Sequence, residues 1–235
     1  LTSTLAVSLL VVLPACSKGA GADAVKLIPD GADAIGGVNL KSVTGSELYK
    51  TYAEKIPEDG LNEFKTALEG CNLKMENLEA VVVGMSPETE DFSAVIVGEG
   101  IGNKENATCI VNKMKEKSGE TDKAEVTTVD GKDVIEAEDG RMFLVSENMV
   151  AMASKGWQDK VGELIDGKGK AAIDGSAKDL YSKADPKAAM WFLATVPADM
   201  GQQAAGFAEK ASAMKSFVGK VDLSGGVAVE LIAGF

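Results

Sequence analysis

Two hydrophobic periods alternate along this chain, and each change of period marks an element. Residues 32–39 read as a short strand. Residues 46–55 carry a helical pattern with Ser46 placed as its N-cap, and Pro57 and Gly60 interrupt it. Leu61, Phe64 and Leu68 resume the helical spacing, with Gly70 as the stop. The valine run in residues 78–84 predicts a largely buried strand. An acidic turn over 87–91 leads to a second strand at 92–97. Helix 103–117 sets Ala107, Ile110, Val111 and Met114 on one face and contains Cys109.

Strand 125–129 completes the order β-α-β-β-α-β, which predicts an α+β fold with a ferredoxin-like split β-α-β sheet and helices on one face. Two hairpins extend it. Asp130-Gly131 joins strand 125–129 to strand 132–137, and Asp139-Gly140 joins that to strand 141–145. Asn148 turns into strand 149–153, helix 156–166 begins around Trp157, and 176–183 is a short helix. Strand 188–196, a long Ala-rich helix 198–218 and strand 226–232 then repeat the opening order. This predicts a first unit over 27–184 and the start of a second, similar and incomplete unit over 185–235.

The first 15 residues hold no charge, and their apolar run from Leu5 to Leu13 is far shorter than the ~20 residues of a membrane-spanning helix. It suits the hydrophobic region of a signal peptide whose basic start lies upstream of Leu1. Leu13-Pro14-Ala15-Cys16 resembles a bacterial lipobox, with Pro14 departing from the usual residue at its place. The resemblance implies cleavage before Cys16 and a lipid on its sulfur, with residues 16–26 as a small-residue tether. The competing reading is a soluble secreted or periplasmic protein cleaved after Ala20-Gly21-Ala22.

Composition narrows the chemistry. The net charge of −12 disfavours binding to nucleic acid phosphates. There is no histidine, so the usual general base near neutral pH and the commonest metal ligand are missing. Aromatic residues make up only 5%, too few for a stacking platform. Cys71 and Cys109 remain after Cys16; in an oxidising compartment they would close a loop of about 38 residues, worth about 3–4 kcal/mol. Two separate buried thiols are the other reading. No CxxC motif suggests a metal.

Other motifs are weak. Gly98-Glu-Gly100-Ile-Gly102-Asn103 lies between a strand and a helix, but Glu99 sits where a phosphate would bind, so a glycine-rich turn is expected. Ser212-Ala-Met-Lys215 matches the Ser-x-x-Lys spacing of penicillin-recognising enzymes without their companion motifs. Glu88, Glu90 and Asp91, and separately Glu136, Glu138 and Asp139, are expected to be solvated turns rather than calcium sites. Asn106-Ala-Thr108 is a formal sequon. Trp191 reads as core, and Trp157 as a partly exposed aromatic that could stack on a ligand.

Leu27-Ile-Pro-Asp-Gly-Ala-Asp33, Gly70-Cys71-Asn-Leu, Cys109, the Asp130-Gly131 hairpin and Asp185-Pro-Lys-Ala-Ala-Met-Trp191 together resemble a family of uncharacterised lipoproteins of myxobacteria and related bacteria. In that family the two cysteines recur at similar positions, which implies their pairing here. The resemblance implies no activity. The expectation is a non-catalytic binding or scaffolding module, lipid-anchored in the cell envelope, at the outer membrane by its Ser17. It would need no cofactor or metal and would meet the membrane and an envelope protein partner. The alternative is an enzyme or accessory subunit of peptidoglycan turnover.

Overall fold

The computed structural model describes residues 21–52, 61–196 and 213–235. The strands are β1 (Ala34–Asn39), β2 (Leu78–Ser86), β3 (Asp91–Gly98), β4 (Val126–Val129), β5 (Lys132–Ala137), β6 (Gly140–Ser146), β7 (Met149–Ser154), β8 (Met190–Thr195), β9 (Ser216–Asp222) and β10 (Ala228–Gly234). They form one open sheet in the order β10-β9-β8-β1-β2-β3-β7-β6-β5-β4. Every neighbouring pair is antiparallel.

The α+β class holds, but the ferredoxin-like split does not. That fold sets the strands on either side of a helix parallel to each other. Here β1 lies directly between β2 and β8, antiparallel to both. Asn39 at the end of β1 pairs with Ala80 near the start of β2. The chain therefore returns to the end of the sheet it left, after building α2 (Leu40–Thr44), α3 (Glu47–Tyr52) and α4 (Leu61–Gly70). Element order alone cannot distinguish such an excursion from a crossover.

Two further expectations change. Strands β8 to β10, read as a second unit, continue the first sheet through the β8–β1 pairing. Of the helix expected over 198–218, residues 198–212 lie outside the described residues and Ser216–Asp222 is strand β9. There Phe217, Gly219 and Val221 alternate with Val218, a period of two that an Ala-rich run had masked.

Helices cover both faces, not one, because both faces of the central strands are apolar. On the first face Ile35, Val82, Val95, Phe143, Ala151 and Leu193 are buried. Above them lie α1 (Gly21–Ala24), the turn Val25–Leu27, α6 (Gln158–Ile165) and α7 (Lys178–Tyr181). The Trp191 indole lies so close to Gly37 that a Cβ there would overlap the ring. On the opposite face Val81, Ile96, Met142, Val150 and Met152 pack with α4 and with α5 (Lys104–Ser118). The Asp130-Gly131 turn has both residues at positive φ, 49° and 77°, as a type I′ hairpin requires. The next turn is Glu138-Asp139, with Gly140 already paired to Ala137 in β6.

Candidate apolar cavity

Helix α5 begins at Asn103, whose side-chain oxygen accepts from the backbone N–H of Glu105 at 3.0 Å and of Asn106 at 3.4 Å. It ends at Gly119 in the left-handed conformation, φ 82°. This frame turns Ala107, Ile110 and Met114 toward the sheet. Beneath them, with Phe64 of α4 and Ile101, is a cavity of about 310 Å³. Its floor is Val81, Ile96, Met142, Val150 and Met152. Every lining side chain is apolar. Left unfilled, this apolar lining lacks van der Waals contacts on one side. An apolar guest would recover them.

A second recess, of about 580 Å³, shares Met114, Met142 and Met152 in its walls. Phe92, Val111 and Ile135 add apolar surface, and Lys115, Lys117, Arg141, Glu63, Glu138 and Asp139 form a charged rim. Both signs are present, and most of the cations are engaged. Lys115 pairs with Glu120 at 3.1 Å, and Arg141 with Glu136 at 2.8 Å. The Lys115 ammonium, then the Ser118 hydroxyl, hold the Glu120 carboxyl below its ordinary pKa. Phe92 and Met114 are 42% and 48% exposed, so the mouth is itself apolar. An apolar interior reached through an amphipathic mouth suits a long apolar molecule with a small polar end. Methionine thioethers adapt to guests of differing shape.

The cavity's roof is crosslinked. Cys71, just past α4, and Cys109, inside α5, form a disulfide with their Cα atoms 5.9 Å apart. Leu68 and Ile110 are buried in the same cluster.

The remaining sequence candidates do not converge on the cavity. Cys16 lies outside the described residues. The Gly98–Asn103 stretch is a structural turn. The backbone N–H of Gly102 donates to the Glu147 carbonyl, and that of Gly100 to the Asn148 side chain. Any side chain at Gly102 would strike the Ser146 carbonyl. Ser212 lies outside the described residues, and Lys215 leads into strand β9, its backbone N–H donating to Gly234. Lys215 itself is therefore not in a helix. Glu88, Glu90 and Asp91 belong to the β2–β3 hairpin, and Glu136, Glu138 and Asp139 to the β5–β6 hairpin. No group of metal-ligating side chains occurs among the described residues. Asn106 donates its amide to the Gly100 carbonyl. Trp191 is core, 2% exposed; so is Trp157, which corrects its expected exposure. Trp157 follows β7 and packs in the first-face core.

Sequence reading placed Met114 on the inner face of its helix but missed Phe64, Ile96, Met142, Val150 and Met152 as a set. Met142 pairs with Met152 across β6 and β7, a juxtaposition that needs the strand register.

No family model matches the chain, and no curated protein matches it. Among solved structures, it is similar to TP0453, a Treponema lipoprotein. Against crystal form III the TM-score is 0.56 at 9% identity, covering 89% of this chain and 78% of that one. Against crystal form I it is 0.51 at 7% identity, covering 89% and 77%. The likeness is one of fold.

Proposed function

We propose that this protein is a non-catalytic binding module of the bacterial cell envelope. Its ligand is a long-chain apolar molecule, such as a fatty acid, held between the α4–α5 roof and the sheet. The observation that carries this reading is the wholly apolar cavity of about 310 Å³. It falls within the ~300–1,000 Å³ range of small-molecule sites. Its continuation into the recess with the charged rim leaves room for a polar end. The likeness in fold to a membrane-associated lipoprotein supports an envelope address. No helix among the described residues is long and apolar enough to cross a membrane. In this reading a lipid on Cys16 holds the module at a membrane, the outer one by the sorting residue Ser17, where apolar ligands are found.

The test is titration with a fluorescent long-chain fatty acid. Wild type binds it, and Ala107→Leu and Val81→Phe, which fill the cavity, weaken binding roughly ten-fold or more, about 1.4 kcal/mol. Thermal melts check that each filled variant is folded, since added bulk beside packed neighbours can cost about 1–3 kcal/mol. Absence of binding by wild type, or binding by the filled variants as tight as wild type, would refute the proposal.

A further inference from the structure

The closed cavity and the open recess meet at three methionines. Met114, Met142 and Met152 line both. Met142 and Met152 are paired across β6 and β7 and are half-buried in the floor. Met114 comes from α5 above them and is 48% exposed. Its side chain therefore has two surroundings at once. It belongs to a wall built only of apolar side chains, and it is open to water. For an apolar wall alone leucine would serve equally, with much the same helix propensity. A thioether differs from leucine in being readily and reversibly oxidised.

We propose that Met114 is an oxidation site, and that its sulfoxide weakens the hold of the cavity on its apolar guest. This rests on the cavity being the ligand site. The co-reactant is a peroxide. The Met114 sulfur attacks one peroxide oxygen with a lone pair; the O–O bond breaks, an S–O bond forms, and the other oxygen leaves as water. Sulfur is oxidised and the peroxide reduced. The new oxygen is a hydrogen-bond acceptor, and no side chain lining the cavity can donate to it. It must turn out to water, drawing the side chain from the wall, or stay unsatisfied against the guest. Either course spoils the wall. Met142 and Met152 are half-buried, so Met114 meets the oxidant first. Met85 and Met190 are 45% and 37% exposed but line neither chamber, so their oxidation leaves the site intact. Enzymatic reduction of the sulfoxide returns the thioether and with it the wall.

The experiment uses the full chain carrying Cys16→Ala, so that no attached lipid competes for the cavity. It is titrated with the fluorescent long-chain fatty acid before and after graded hydrogen peroxide, and peptide mass spectrometry locates the added oxygen. Limited treatment should place one oxygen on Met114 ahead of Met142 and Met152. Binding should weaken about ten-fold, the effect of one ill-placed polar group in an apolar wall. A methionine sulfoxide reductase should restore it. Met114→Leu is compared only with itself: its affinity, wherever it starts, should not change on treatment. Met85→Leu and Met190→Leu should respond to peroxide as the parent does. Circular dichroism should be the same before and after treatment. Four results would overturn the oxidation site while leaving fatty-acid binding standing: Met114 left unoxidised, binding unchanged once it is oxidised, an equal loss in Met114→Leu, or a loss that follows unfolding. An untreated parent that binds no fatty acid would overturn both readings.

Discussion

Asp30 shows how one side chain joins distant parts of the chain. Its carboxylate accepts from the backbone N–H of Ser176 at 2.8 Å and meets the Lys170 ammonium at 3.1 Å. Those bonds outweigh the partial desolvation and lower its pKa to about 2. The leading cause is the Ser176 backbone N–H. Around it, Pro29 bridges Ala171, and the N–H of Ala172 donates to Ile28. A depressed carboxylate pKa stabilises the fold above the unfolded pKa of 3.8, and that stabilisation is lost as pH falls through about 2. Allowing for its partial exposure, Asp30→Ala should cost about 1–2 kcal/mol at neutral pH. Urea titrations of the two proteins should converge as pH approaches 2. A gap unchanged at low pH would mean that Asp30 acts by packing and not by charge.

At the scale of elements, the cavity depends on how α4 is held. Helix α4 reaches the protein through its packing on α5 and through the Cys71–Cys109 bond. Closing a loop of about 38 residues is worth about 3–4 kcal/mol by restricting the unfolded chain. Cys71→Ser and Cys109→Ser should therefore each lower the melting temperature by a similar amount, and the double variant should add little more. Reduction of the wild type should match them. Thermal melts of the three variants check this; costs that sum would show two thiols acting independently. Because α4 supplies Phe64 to the cavity wall, the same variants should release a bound fatty acid faster.

For the whole molecule, the charge bears on the proposed anchor. A net charge of −12 keeps the body away from anionic lipid headgroups, so attachment to a membrane falls to the lipid expected on Cys16. A diacylglyceryl thioether carries two chains, and two are enough for stable anchoring. Mass spectrometry of the mature chain should find acyl groups on Cys16, and Cys16→Ala should move the protein from the membrane to the soluble fraction. An unmodified N-terminus at Asp23 would instead mark a secreted protein.

What could be read from residues in order was local. Valine runs, Asp130-Gly131 and the Asn103-to-Gly119 helix depend on dihedral preference and on neighbours within a few positions. These sufficed for most strands, for the two main helices and for the α+β class. Strand partnership was decided only in three dimensions. The order strand-helix-strand is shared by crossovers and by excursions that return to the same end, and the choice rests on which apolar faces can be buried together. That choice put β8 against β1, placed helices on both faces, and made β9 a strand despite its Ala-rich approach. The cavity has the same origin. Phe64, Val81, Ile96, Met114, Met142 and Met152 are scattered over nearly 90 residues, and each alone reads as ordinary core. Only the register of β2, β3, β7 and β6 beneath α4 and α5 turns them toward one space, because strand pairing sets the facing of side chains that sequence distance cannot.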